Sequence, residues 1–421
     1  MSDSKEVRLE INNAFKLSGF TIRREASSFL AEQLSGLSNK ERIKVIDKIT
    51  AHILHQCLSQ PVLEKEHIEV AYRECSSAGL EETETVLNLR KIEVLLSTSR
   101  KVDDVVVLGL LTQLTEGKYY LEDPTGSVLL DMSQTRYHSG LFTENSYVLV
   151  EGFFEDKTLH VMGLVLPPSE TRAISLPYFG NLNTFGGKSK TLLRNSQNLL
   201  KIEQENEDGM IIFLSDVWFD NLKVMSKLKT LFAGYDDFPP IAIVFMGEFL
   251  SCPYGYEHST QLNAALINLA DIIMPFTKLR EACKFIFVPG RGDPAAANIL
   301  PRPPIPNTIT KQISEKLGDS VIFTTNPCRL QYCSQEIVVL RQDLVTKMCR
   351  NAIHFPDAGD IPDHLTKTLL SQCTLSPLSL GVQPVFWKHA DALSLYPMPD
   401  LVVVGDNFPP YSRSYQNCQV V

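Results

Sequence analysis

Four apolar runs in the second half of the chain end on residues that could act on phosphate esters. "GMIIFLSDVWFD" puts Asp216 at the close of a strand-like stretch, with Trp218 two positions on. "IAIVFMGE" ends on Gly247-Glu248 and leads to Ser251; "KFIFVPG" runs into Gly290-Arg291-Gly292-Asp293; "LVVVGD" opens Gly405-Asp406-Asn407-Phe408. Carboxylates gathered at strand ends can bridge two divalent cations, which clamp a transferring phosphoryl group. Such a centre also needs imidazole and amide ligands, and at the confirming two-residue spacing from Asp216 stands a tryptophan.

The order of these motifs resembles the calcineurin-like metallophosphoesterases, whose pattern is D-x-H, G-D-x-x-D, G-N-H-[DE] and G-H-x-H. Against it, Asp216 keeps the aspartate and Trp218 replaces the histidine. Glu248 is one methylene longer than the family's aspartate, and Ser251 replaces the second carboxylate. Asp293 closes a third motif that has lost Asn and His and gained Arg291, while Asp406 and Phe408 replace the last two histidines. Loss of outer-shell groups alone lowers metal affinity or activity about 10–100-fold. The chain is therefore expected to hold no metal, no cofactor and no catalytic residue, with Asp216, Trp218, Glu248, Ser251, Asp293, Asp406 and Phe408 as vestigial positions. Asp216 is expected to hydrogen-bond a neighbouring loop backbone and Trp218 to fill the former pocket. Phosphate loops of the G-x-x-x-x-G-K-[ST] and G-x-G-x-x-G kinds are absent. So is G-x-S-x-G, which leaves His258, His354, His364 and His389 without a triad.

The elements that would position these residues form an α/β region over 168–421. "MIIFLSD", "IAIVFMGE", "KFIFVPG", "VIFTTNP", "EIVVLRQD" and "LVVVGD" alternate with helix-like stretches such as "NLKVMSKLKTLFAG". "PRPPIPNTI" reads as a surface loop. Before it, 98–167 switches to short β-branched and aromatic runs, with Asp123-Pro124-Thr125-Gly126 as the tight turn of a hairpin from Lys118 to Ser133. Five or so strands in that length predict a Greek-key barrel of the oligonucleotide-binding (OB) type. Tyr119, Tyr120, Tyr137 and Tyr147 could stack bases. Ten acidic against five basic residues between Arg100 and Pro167 would repel a phosphate backbone, which favours a protein-binding or packing role.

Residues 1–85 read as four short helices, after which 86–97 is a short linker. In "SNKERIKVIDKITAHILHQCL" Ser38 and Glu41 suit a capping box, and Ile46, Ile49, Ile53 and Cys57 recur on one face. His52, His55 and His67 lack the cysteine or carboxylate pattern of a zinc site and read as surface or core side chains. Cys328 and Cys333 read as buried thiols. The cluster Lys188, Lys190, Arg194 and Lys201 reads as a solvated face.

The remaining composition is that of an ordinary packed protein: 421 residues, 44% hydrophobic, with a net charge of −9 that disfavours non-specific nucleic-acid binding. Nine scattered cysteines without C-x-x-C predict reduced thiols in a cytosolic or nuclear protein. No run reaches the ~18 apolar residues of a membrane span, and "MSDSKEVRLE" has no signal core.

Several stretches ("VLGLLTQLTEGKYYLEDPTGSVLLDMS", "FLSDVWFD", "FTTNPCRLQYCSQEIVVLRQDLVTKMCRN", "YPMPDLVVV") are similar to the B-subunits of the replicative DNA polymerases, above all the DNA polymerase epsilon branch. That resemblance implies a multi-domain α+β protein: a small helical bundle like the lid of AAA+ ATPases, an OB barrel and an inactive phosphoesterase-like domain. It implies a nuclear, non-catalytic scaffold in chromosomal replication, with polymerase activity in a partner. The partners implied are the zinc-bearing C-terminal region of the catalytic subunit and, through the N-terminal helices, the GINS complex of the replicative helicase. DNA would be met mainly through the holoenzyme. The alternatives are a metal-dependent phosphodiesterase or nuclease, as in archaeal relatives that keep their ligands, and a single-strand-binding module. Compared with the family, "EETETVLNL" joins "RKIEVLLSTS" almost directly and the chain stops at "NCQVV". Both points suggest shortening, and the second predicts an unprotected edge at "DLVVVGD".

Overall fold

A computed structural model describes residues 7–8, 11–12, 15, 21–34, 45–46, 49, 62–63 and 68 of one compact unit, Met1–Leu87, and 89–179, 182–183, 185, 196–206, 208–252, 254–294 and 298–421 of a second, Asn88–Val421. In the first unit, strand β1 (Thr21–Ile22) leads into helix α1 (Arg24–Gln33) and pairs in parallel with β2 (Val62–Leu63). Val7, Ile11 and Phe15, then Ala26, Leu30 and Leu34, bury at four-residue spacing together with Ile46, Ile49 and Ile68. The β1–β2 pair was not expected in a helical unit; two residues per strand are too few to show a period. Ser38, Glu41, His52, His55 and His67, and likewise Lys188, Lys190 and Arg194, lie outside the described residues.

The second unit begins with a barrel. Strands β3 (Val102–Thr115), β4 (Lys118–Asp123), β5 (Gly126–Asp131), β6 (Arg136–Tyr137), β7 (Tyr147–Glu155) and β8 (Thr158–Val165) run in the order β5-β4-β3-β7-β8-β6, and a β5–β8 pairing closes it. Closure removes the open edges of a flat sheet. The expected β4–β5 hairpin forms, and Asp123 holds its turn by accepting from the backbone N–H of Thr125 and Gly126. Inside the stretch expected as linker, helix α2 (Ile92–Leu96) packs Ile92 and Leu95 into the barrel core, and the Ile92 N–H donates to Asp123.

After α3 (Arg172–Phe179) and α4 (Gln197–Glu205) come two facing sheets. The first is parallel: β9 (Ile211–Ser215), β10 (Ala242–Met246), β11 (Lys284–Val288) and β12 (Val321–Phe323), in order β12-β11-β10-β9. The second holds β13 (Cys328–Tyr332), β14 (Gln335–Arg341), β15 (Leu401–Gly405), β16 (Arg413–Tyr415) and β17 (Cys418–Val420), in order β13-β14-β15-β17-β16. Alternation sorts each strand between two cores. Ala242, Val244 and Met246 meet Ile337, Val339 and Val403 between the sheets. Ile243 and Phe245 instead face α5 (Leu222–Tyr235), α6 (His258–Ile273), α7 (Thr277–Ala282) and α8 (Asn307–Leu317). Val338, Leu340 and Val402 face α9 (Val345–Arg350) and α10 (Ile361–Ser371). The layers therefore run helix, sheet, sheet, helix.

The expected open edge at "DLVVVGD" is not there. β15 lies between β14 and β17, with Leu401 opposite Gln419 and Val402 opposite Val420, and the Val404 N–H donates to Val421 O at 2.7 Å. Residues 418–421 supply the neighbour that β15 was expected to lack.

Candidate functional site: the strand-end cleft

The carboxyl ends of β9, β10, β11, β14 and β15 converge, and the loops that follow β9, β10, β11 and β15 carry all seven positions that the sequence singled out. Asp216 follows β9 with φ 53, a left-handed backbone that aspartate tolerates better than most residues. Its Oδ1 accepts from the Glu248 N–H at 2.8 Å, which ties the β9 and β10 ends together. From the far side comes Arg341, the last residue of β14. Its Nη2 donates to both Asp216 oxygens at 2.9 and 3.1 Å, its Nε reaches Oδ1 at 3.2 Å, and Nη1 reaches Asp343 Oδ1 at 2.9 Å and Gly405 O at 3.1 Å. Burial disfavours its charge, but Asp216 and Asp343 outweigh burial and hold the guanidinium above its ordinary pKa. A fixed cation thus sits on the carboxylate to which a metal would have to bind.

Asp293 is buried beneath the cleft. Its Oδ1 accepts from Phe249 N at 3.1 Å and Oδ2 from Gly290 N at 2.7 Å, and burial pushes its carboxyl up to about 6. Gly247 must be glycine, since a Cβ there would lie 1.9 Å from Asp293 Oδ2. The buried Arg302 donates to Gly290 O at 2.6 Å. Glu248 turns its carboxylate to the Gly292 N–H at 3.0 Å. Asp406 uses Oδ2 to accept from Leu344 N and Val345 N, both at 2.7 Å, at the start of α9, and burial raises its pKa.

Ser251, Phe408 and Trp218 do not join them. Ser251 donates its hydroxyl to Asp220 at 2.6 Å. Phe408 packs against the second sheet's helical core, edge-to-face with Tyr411. Trp218, expected to fill the former pocket, is 41% exposed; its neighbour Phe219 enters the core instead, stacked on Phe249 at 5.3 Å. The reason is local: the turn after β9 directs Val217 and Phe219 inward, and one-residue alternation leaves Trp218 outward.

Sequence reasoning missed Arg341, Arg302 and Asn326. Asn326, fully buried, donates to Pro289 O and Arg341 O and accepts from the Arg341 N–H, clasping one sheet to the other. The available signal was charge in apolar company: "EIVVLRQD" ends a buried strand on an arginine, and a buried arginine requires a partner. Among the described residues, no three His, Cys, Asp or Glu side chains gather as a metal-holding group. Each carboxylate at the convergence accepts from the backbone of a neighbouring loop, and the four together stiffen the strand ends.

The comparisons with known proteins agree along the chain. Residues 211–413 match the family described as the B-subunit of DNA polymerase alpha/epsilon. Residues 52–168 match the DNA polymerase epsilon subunit 2-like OB-fold domain, and 3–75 match the DNA polymerases epsilon N terminal family. Human DNA polymerase epsilon subunit 2 is 38% identical over 492 residues, covering 98% of this chain and 93% of its own. The Drosophila melanogaster protein of the same name is 38% identical, covering 100% and 93%. The Saccharomyces cerevisiae B-subunit of DNA polymerase epsilon is 29% identical, covering 83% and 59%. The human alignment is longer than this chain, so that relative carries internal residues with no counterpart here. The chain belongs to the family of DNA polymerase epsilon second, or B, subunits.

Proposed function

We propose that this chain is the non-catalytic accessory subunit of a DNA polymerase epsilon complex, a scaffold in chromosomal replication that works in the nucleus while polymerisation resides in its partner. The observation that carries the scaffold role is Arg341 on Asp216. A calcineurin-like phosphoesterase needs that aspartate's oxygens for cations, and here a guanidinium covers them and two backbone loops lean on the surrounding carboxylates. The fold of two facing sheets between helical layers supports descent from such an enzyme, with the metal ligands replaced by internal hydrogen bonds. A rigid fold with a broad surface needs no catalytic group to hold a partner.

The domains on this reading are a helical region over 1–85, a short linker at 86–97, an OB barrel at 98–167 and the inactive phosphoesterase-like region at 168–421. The barrel and the last region grip the zinc-bearing C-terminal region of the catalytic subunit, and the N-terminal helices contact the GINS complex. The acidic barrel suits protein contact better than single-stranded DNA. Purified protein with manganese and single-stranded DNA should show no turnover, and it should co-purify with the catalytic subunit's C-terminal region. Hydrolysis abolished by Asp216→Ala would overturn the scaffold reading.

A further inference from the structure

Between α2 and β3, "LLSTSRK" sets three hydroxyls in a row ahead of two cations. Two of the hydroxyls are engaged. Ser97 Oγ donates to Val94 O at 2.7 Å and closes the end of α2, while the half-buried Thr98 accepts from the Arg100 N–H at 3.3 Å. Ser99 is exposed, and its hydroxyl has no partner among the described residues.

Ser99 lines a cavity of about 390 Å³ against Leu96 and Phe154. Arg100 and Lys157 line it as well, and neither side chain has a hydrogen-bond or ion-pair partner among the described residues. Asp156 is the one acid on its wall. Asp156 and Lys157 form the two-residue turn between β7 and β8, with Glu155 opposite Thr158 and φ of 49 and 60. Such turns favour asparagine, aspartate or glycine, and a lysine in the left-handed region is uncommon. The chain accepts that strain and fixes an ammonium group on the cavity that holds the free hydroxyl.

We infer that Ser99 is an acceptor for phosphorylation and that Arg100 and Lys157 hold the phosphate it receives. Arg100 and Lys101 directly follow the hydroxyl, and a kinase whose substrate groove carries carboxylates recognises such a pair. Ser99 Oγ attacks the γ-phosphorus of a nucleoside triphosphate, and the bond from that phosphorus to the oxygen bridging it to the β-phosphorus breaks. The nucleoside diphosphate leaves, and the hydroxyl proton passes to the kinase's aspartate. The new group brings three acceptor oxygens and about −1.5 to −2 of charge to a wall with two unpaired cations and one acid. Charge-assisted hydrogen bonds to those cations would fasten the segment after α2 to the β7–β8 turn. On Ser97 the same group would instead remove the donor that closes α2. The site is separate from the strand-end cleft and does not depend on which assembly the protein joins.

The full chain is treated with ATP and a kinase selective for basic residues after the acceptor, and the product is mapped by mass spectrometry. A phosphate is expected at Ser99, and Ser99→Ala should lower incorporation at least about 10-fold. The full chain is also made with phosphoserine installed at position 99 and followed by phosphorus NMR. The second ionisation of phosphoserine ordinarily lies at about 6; here it should fall by about half a pH unit or more, because the cations favour the dianion. Hydrogen exchange over 96–101 should slow. Lys157→Gly removes the ammonium and relaxes the turn, so the fold is kept, and it should return most of the shift. Phosphate on Ser97 or Thr98 in place of Ser99, no incorporation at all, or a phosphoserine that titrates alike in wild type and in Lys157→Gly would each overturn the inference.

Discussion

Arg341 reaches across from the second sheet to Asp216 of the first, with Nη2 2.9 and 3.1 Å from the two carboxylate oxygens. The same side chain caps Gly405 O, and its backbone is clasped by Asn326, so one residue joins the ends of β9, β14 and β15 and the loop before β13. A guanidinium is planar, permanently charged and pre-organised for carboxylate. It neutralises Asp216 without the several ligands that a hydrated divalent ion demands.

Arg341→Met should destabilise the protein by about 3 kcal/mol, the lower end for breaking a buried ion pair, because Asp216 retains some contact with water. Adding Asp216→Asn should recover at least half of that loss, since the amide still accepts from Glu248 N and no charge is stranded. Urea unfolding of the two variants measures it; a double variant as unstable as the single would mean that the packing of Arg341, not its charge, is what matters.

Asp293 gives a pH signature. Its native carboxyl sits at about 6 against 3.8 unfolded, so its contribution is fully present below pH 3.8 and is lost as pH rises through 6. Asp293→Asn removes that titration but sets an NH₂ group against one of two backbone donors, which costs about 1–3 kcal/mol at acid pH. The wild-type advantage over this variant should therefore shrink by roughly 2.4 kcal/mol between pH 4 and pH 7, most of the total set by about 1.4 kcal/mol for each pH unit that separates the native from the unfolded titration. An advantage that stays constant would show that the buried carboxyl ionises in its ordinary range.

The strands of the barrel and of both sheets were legible because each is a β-branched or aromatic run closed by turn residues, and burial on one or both faces leaves that pattern in the sequence. Asp123-Pro124-Thr125-Gly126 was legible as chemistry, a carboxylate that accepts from its own turn. The partition into two facing sheets was not: "IAIVFMG" and "EIVVLRQD" look alike, and what separates them is which neighbours they meet. The C-terminal hairpin was hidden for a similar reason, because "SRSYQNCQVV" is too short and polar to announce a strand that shields β15. At the cleft, the carboxylates at the strand ends could be read from the sequence, whereas the pairing of Arg341 with Asp216 could not, since the two lie 125 residues apart and only the fold brings them together.

Gly247 and Gly234 should respond oppositely to alanine. At Gly247 the new Cβ would collide with Asp293 Oδ2 at 1.9 Å and Gly290 N at 2.6 Å, both fixed by hydrogen bonds, so a loss of about 3 kcal/mol or more is expected. At Gly234, inside α5, a Cβ meets nothing within 4 Å and the helix gains about 0.5–1 kcal/mol from lower chain entropy. Thermal midpoints should fall for the first and rise for the second. Equal behaviour would refute the claim that the strand-end packing sets the requirement at Gly247.

The barrel is seated on α10 by side chains that accept from its backbone, and that seam should fail separately from either core. His364 Nδ1 accepts from the Gly140 N–H at 2.8 Å while Nε2 donates to Ala358 O at 2.8 Å; Thr368 accepts from the Leu141 N–H at 2.8 Å, and Gln372 exchanges two bonds of 2.7 Å with Tyr147. His364→Ala leaves a buried amide without an acceptor, which costs about 1–3 kcal/mol. Gln372→Ala, at an exposed rim, should cost less than about 1 kcal/mol because water replaces the lost group. Hydrogen exchange should accelerate over 139–143 in His364→Ala and leave the β3–β7 ladder protected. Acceleration spread evenly over the whole barrel would mean that the barrel has no stability apart from its seat, and that these three side chains support its folding, not merely its docking.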